Sequence, residues 1–532
     1  MKQIWLSMAF IGCLVTGCKS DPTSESSAVS VYVSSVSQSE TSAADASGLH
    51  PGAVPSVTSE TGKSNETVST DDIDWDAYDR IMWAYDDFVK IDAAAQQGIN
   101  ARLVALGSDT IIDFYCGRMG DDYAEAIEDF INEDKAPDII TAGIGYEGTD
   151  MGTMRAYSRG WLMELDEYLS SDAGRALYDS VPEAVWKSGS CNGSVYGVST
   201  IPIYTYRIMM YVNTEIAQKL GVSLDELQQC CSIEDLEPIL AAASKKSEDV
   251  DLLVVQEMGG IPMSVFLPEA DFLEEPRNIT SQAIVTFDTP NAKAENLFAT
   301  DLARKRFETV REYTQKGYMT TTNNRKGDFL IFLSEDTEGS PKDALADMIR
   351  PLYRKTKEVK AVTLAVTYLP TSMNSLTGVC AKSHKAEKAL KVLEYVMTDA
   401  ELSNYLIHGS MGQRTYQDGR VTSPTFMLHV QYFPNYLIAD PLWFEADKEG
   451  YYRECFRTIK TSPFTGLYLD LRPYTEEITA CNDVIGDYMF GLMRGEYENV
   501  SLTLEELNQK LSEAGIDKVL QYINDKITAN AS

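Results

Sequence analysis

Histidine is scarce in this chain: His50, His384, His408 and His429 are the only four in 532 residues. No Gly-x-Ser-x-Gly elbow, His-Glu-x-x-His pair or phosphate-binding Gly-x-x-x-x-Gly-Lys loop occurs. Asp72, Asp74 and Asp76 have the spacing of a calcium loop. However, Ala77 stands where the turn glycine is needed and Trp83 where the closing glutamate belongs. The segment is expected to be an acidic helix entry, and the chain is expected to need no metal or cofactor and to be no enzyme. Rings are abundant instead, with 29 Tyr, 17 Phe and 6 Trp. A ring face that covers about 50 Å² of a sugar contributes about 1 kcal/mol, so several rings and their hydrogen bonds build a micromolar site. The 80 acidic residues leave a glycosidase carboxylate pair open, since linear spacing does not give separation in space.

The bulk properties restrict where such chemistry operates. Lys2 precedes an apolar stretch, Ile4 to Val15, which has the length of a signal-peptide core and is too short to span a bilayer. It ends in Val15-Thr16-Gly17-Cys18. That ending resembles the bacterial lipobox, which implies lipid on Cys18, cleavage before it, and an extracytoplasmic chain tethered to the cell membrane. Residues 19–70 are rich in Ser, Thr and Ala, with Tyr32 as the one aromatic. Such a segment buries too little apolar surface to offset its ordering entropy, so a flexible tether is expected. Lys19 after the cysteine fits a Gram-positive surface. The net charge of −34 argues against nucleic acid and against an anionic membrane face as partners. The seven cysteines beyond Cys18 are scattered, with no Cys-x-x-Cys pair, and most are expected to be reduced.

The elements that must position the rings are those of an α/β chain. Apolar spacing at Ile81, Tyr85, Phe88 and Val89 predicts a helix over 76–97, and 101–106 reads as a strand. Residues 109–116 read as a second strand or an insertion, and 122–132 as an amphipathic helix. A short strand follows and leads into the loop Gly143-Ile144-Gly145-Tyr146-Glu147-Gly148. In open α/β sheets ligands lie beyond the carboxyl ends of the strands, which makes Tyr146 and Glu147 site candidates. A further strand, 206–212, runs through Asn213 into a helix that ends at Gly221.

Four fragments stand in order: Pro137-Asp138-Ile139-Ile140, Gly160 to Leu169, Tyr196-Gly197-Val198 with Pro202, and Tyr211-Val212-Asn213-Thr214-Glu215. Together with the helix from Ser383 to Asp399 and the tail from Leu511 to Val519, they resemble the family 1 extracellular solute-binding proteins of ABC importers. The resemblance covers most of 137–525 and is weak over 224–360. It departs from the family pattern at the start, where no apolar strand follows the linker.

The resemblance implies a type II periplasmic-binding-protein-like fold, with two α/β lobes joined by a hinge. Residues 71–203 and 362–426 would form the first lobe, and 204–361 and 427–532 the second. The crossovers near 201–207 and 363–372 place Tyr204, Tyr206, Arg207 and Tyr368 at the hinge, where they would meet a ligand; Trp443 and Phe464 are further aromatic candidates. Arg207 could fork onto a ligand carboxylate. Trp186 is a further aromatic candidate and Arg414 a further charged one. The expected function is capture of a sugar or oligosaccharide and delivery to ABC permease subunits by a monomer. A peptide cargo, a surface-anchored glycoside hydrolase, and a sensor or adhesion lipoprotein are the alternatives.

Overall fold

The computed structural model describes residues 73–530, apart from 88–89, 119–120, 143–152, 201–205, 247–248, 257–262, 274–282, 288–291, 323–326, 338–357, 367–374, 411–413, 423–434, 442–447 and isolated positions between 449 and 463. Strand β1 (Asp79–Asp86) opens the fold, followed by a helix (Ala93–Ala105), β2 (Thr110–Gly117), a helix (Asp121–Asn132) and β3 (Ile139–Ala142). The reading of 76–97 as a helix and 101–106 as a strand is therefore inverted. Ile81, Trp83, Ala84 and Tyr85 are all buried, because β1 lies between two parallel neighbours and is covered on both faces. That continuous burial removes the alternation expected of a half-exposed strand. Asp92 marks the true helix start, accepting from the Ala95 N–H at 2.7 Å. The opening strand that seemed missing is β1.

The hairpin β4 (Ser190–Cys191) and β5 (Ser194–Val195) precedes β6 (Val198–Ser199), and then β7 (Tyr206–Asn213) begins a second sheet. Asn213 caps the helix Thr214–Leu220, which stops at Gly221 with φ 68°. Then follow β8 (Val250–Val255), β9 (Asp271–Phe272), β10 (Ile284–Thr286), β11 (Glu295–Asn296), β12 (Met319–Thr321), β13 (Asp328–Thr337), β14 (Val359–Val366) and β15 (Leu376–Val379). One five-stranded sheet has the order β2-β1-β3-β15-β6; the other has the order β12-β8-β13-β7-β14. A small antiparallel sheet, β11-β10-β9, flanks the second.

Each large sheet has its own core. Ile81, Trp83, Ile99 and Ile139 pack with Leu393, Val396 and Leu406 of the helices Ala386–Thr398 and Ala400–His408. Met210, Leu253 and Leu333 pack with Phe307 and with Ile485, Leu492 and Leu507 of the C-terminal helices Thr475–Arg494 and Val500–Ala514. The lobe limits differ from those expected. β14 pairs with β7 from Val359 to Val366, so the second sheet continues to Val366, a few residues past the Ala361 limit, before the chain passes to β15. Tyr436, Ala439 and Tyr452 are buried in the first core with Phe456 against them, so the first lobe runs well beyond Phe426. Among the described residues, no helix is long and apolar enough to cross a membrane.

Candidate functional site

Strand directions locate the site. In the first sheet β1, β2 and β3 are parallel, and β15 runs antiparallel to both β3 and β6. In the second, β8, β12 and β13 are parallel, and β7 runs antiparallel to β13 and β14. The chain leaves the carboxyl end of β6 to enter β7, and leaves the carboxyl end of β14 to enter β15. Both crossovers therefore join the edges at which the parallel strands end.

The residues that flank the two crossovers are paired at both ends. At the first lobe, the Thr200 N–H and hydroxyl both donate to the Ser375 carbonyl, at 3.0 and 3.1 Å. At the second, Arg207 is in register with Val366. Thr200 and Tyr206 are six residues apart, so at most about 22 Å of chain separates the sheet edges there. The candidate ligand site lies at the two carboxyl edges beside these paired ends.

Buried polar groups line these edges. On the first sheet Tyr85 and Asp86 end β1, each 1% exposed. The Tyr85 hydroxyl accepts from the Ile91 N–H at 3.1 Å, and burial pushes its phenol well up. Burial, and then the charge of Asp86, does the same to Tyr123, which donates to the Thr141 carbonyl at 3.1 Å. Thr141 Oγ1 takes the Trp83 indole N–H at 2.8 Å and lies 2.9 Å from Thr377 Oγ1. On the second sheet the Ser334 hydroxyl donates to Gln256 Oε1, between the ends of β13 and β8. Thr321, at the end of β12, is 3% exposed. These groups make a buried polar rim at the two edges.

Of the residues singled out from the sequence, Tyr146, Glu147, Tyr204, Tyr368 and Trp443 lie outside the described residues. Tyr206 and Arg207 start β7 at the crossover edge, in register with Thr337 and Asp336. Phe464 is 2% exposed, in a core with Leu273, Ile284, Leu469 and Val519, where no ring face is open to a ligand. Trp186 is likewise buried: its indole N–H donates to the Tyr178 carbonyl at 3.1 Å. Arg414 is a structural cation, 2.9 Å from Glu401 and 4.4 Å above the Tyr405 ring. Asp74 caps a short turn by accepting from the Asp76 N–H at 3.3 Å. No group of three or more potential metal ligands occurs among the described residues. The described cysteines 116, 191, 230, 231, 380 and 481 are free. Asp86, Thr200, Gln256 and Ser375 were missed, although a polar residue directly after an apolar strand run marks Asp86 and Gln256.

Comparison with known proteins agrees with this geometry. The chain resembles a crystallised N-glycan transport solute binding protein, NgtS, of Streptococcus pneumoniae, with a TM-score of 0.61 and 17% identity, over 85% of this chain and 99% of that one. An extracellular solute-binding protein from Bifidobacterium longum subsp. infantis gives a TM-score of 0.54 and 12% identity, over 86% and 99% of the two chains. The chain has the two-lobed fold of the extracellular solute-binding proteins. In sequence the chain is 21% identical over 374 residues to a carbohydrate ABC transporter substrate-binding protein of Streptococcus pneumoniae serotype 4, covering 65% of this chain and 72% of the relative. Residues 463–529 match the family model "Domain of unknown function (DUF3502)". In the solute-binding fold described here, that stretch holds the segment entering the second lobe and the three C-terminal helices.

Proposed function

We propose that this chain captures a carbohydrate between its two lobes and delivers it to the permease subunits of an ABC importer, tethered outside the cell by lipid on Cys18. The observation that carries the reading is that the chain passes twice between two sheets, each time from carboxyl edge to carboxyl edge. That arrangement makes a cleft whose walls belong to different bodies, and a ligand touching both walls favours their closure. The edges supply hydroxyls, amides and buried carboxylates with rings behind them. Such groups meet sugar hydroxyls, and Tyr204, Tyr206 and Tyr368 at the hinge are the rings proposed to stack on the sugar. Tyr146, Glu147, Arg207 and Trp443 are proposed as further contacts.

The carbohydrate ABC transporter relative and NgtS, which was crystallised with Man1GlcNAc, support a sugar cargo. The test is calorimetric titration of the mature chain with panels of oligosaccharides and peptides. Micromolar affinity for an oligosaccharide, a binding free energy of about −8 kcal/mol, is expected. Binding to peptides alone overturns the sugar reading. Cys18→Ala is expected to release the protein into the medium and abolish its labelling by palmitate. Purified protein is expected to release no sugar from polysaccharide.

A further inference from the structure

The tip of the β4–β5 hairpin reads Asn192-Gly193, with φ of 49° and 90°. Two left-handed residues are what a tight two-residue hairpin turn requires. The hairpin belongs to the first lobe: the Val195 carbonyl accepts from the Leu165 N–H at 2.7 Å, and the Val195 N–H donates to Asp166 Oδ2 at 2.9 Å. Its tip, however, docks elsewhere. The Asn192 N–H donates to the Gly466 carbonyl at 2.7 Å, and Asn192 Oδ1 accepts from the Tyr468 N–H at 3.4 Å.

The segment Phe464–Tyr468 is fixed to the second lobe. Phe464 and Leu467 pack with Ile284, Val519 and Ile523. Ser462, just before it, donates to Asp271 Oδ2 at 2.6 Å. Gly466 has φ 74°, and a Cβ added there would lie 2.8 Å from the Ser190 hydroxyl oxygen. The approach thus needs both a left-handed backbone and a missing side chain at one position.

We propose that the Asn192–Gly193 turn and the Phe464–Tyr468 segment form a stop that limits how far the lobes swing apart. The chain leaves the first core at Phe456 and enters the second at Phe464, so this contact sits beside the third passage between the lobes. Gly466 follows Ser462 by four residues, no more than about 14 Å of chain. Points near a crossing move least when lobes rotate. The hydrogen bonds from Asn192 to Gly466 and Tyr468 therefore stay within reach over more of the motion than contacts far from the crossing, and resist its extreme. The inference rests on the two-lobed fold and not on the identity of the solute.

The test uses the unliganded mature chain, with small-angle X-ray scattering and amide hydrogen exchange. Gly466→Ala and Asn192→Ala are each expected to raise the radius of gyration. In Gly466→Ala, protection of the Asn192 amide is expected to fall about tenfold, the effect of one lost hydrogen bond. Asn192→Asp keeps the acceptor and tolerates the left-handed turn, and should restore wild-type values. A wild-type radius in both alanine variants, with unchanged circular dichroism, overturns the proposal. If Gly466→Ala fails to fold, Asn192→Ala on the exposed turn carries the test alone. Neither readout needs a ligand, so failure here leaves carbohydrate capture standing, and failure to bind sugar leaves the stop standing.

Discussion

Asp271 is a carboxyl group in a poor setting for charge. It is 2% exposed, with the Thr286 and Ser462 hydroxyls donating to one oxygen at 2.9 and 2.6 Å, and burial still pushes it up to about 6. Between its unfolded value near 4 and about 6, the folded chain therefore holds more protons than the unfolded chain. The stability linked to Asp271 is full below pH 4 and is lost as pH rises to 6, by on the order of 3 kcal/mol. His408 works the other way. Its Nε2 donates to the Asp440 carbonyl at 2.9 Å, and burial lowers it to about 4, so stability is present above pH 6.5 and lost as pH falls. The two slopes oppose each other across pH 4 to 6. Asp271→Asn keeps an acceptor for both hydroxyls without a charge. Relative to wild type, the variant is expected to gain stability progressively from pH 4 to 7, as followed by urea melts. Parallel wild-type and variant profiles would remove the buried-charge account. At this scale little was legible in the sequence. Phe464 and Trp186 were picked as ligand rings, but the area that stacks on a sugar is the same area that fills a core.

The helices Ala93–Ala105 and Ala400–His408 meet at a glycine. A Cβ on Gly98 would lie 2.2 Å from a Tyr405 ring carbon, far inside contact distance. The ring has little room to turn away, because the Arg414 guanidinium lies 4.4 Å from its centroid. Gly98→Ala gains about 1 kcal/mol of helix propensity but overpacks the contact by about 1–3 kcal/mol, so a net loss is expected in a denaturant midpoint. Raised stability would show that the helices slide apart freely. The element scale also shows where sequence reading works. The helix Asp121–Asn132 and the Asn213-to-Gly221 helix were legible, since each has an exposed face or caps of defined chemistry. β1 was not, since Ile81 and Tyr85 fit a helical period as well as a strand covered on both faces. The lobe limit at Phe426 was not legible for a related reason: long-range packing, not local pattern, places Tyr436 and Tyr452 in the first core. Nothing in Val359–Val366 says which sheet it joins; the register with β7 decides it. The carboxyl edges were legible in outline, since a strand followed by a glycine loop has a direction. Their buried hydroxyl partners come from positions far apart in the chain, as with Thr200 and Ser375, and local pattern does not reveal them.

At the scale of the whole molecule, two separate cores are joined by passages that are short beside the lobes themselves. Such a chain need not unfold in one step, and without ligand the two lobes are expected to melt as distinguishable units. A solute held by both carboxyl edges changes this, because it binds only when both lobes are folded and facing. At a ligand concentration about one hundred times Kd, binding adds about 2.7 kcal/mol, shared by both bodies. Scanning calorimetry is expected to show two overlapping transitions without sugar. With saturating sugar they should move up together and merge, while the radius of gyration falls. If only one transition moves, the solute contacts one lobe, and trapping by closure is excluded even where binding itself is confirmed.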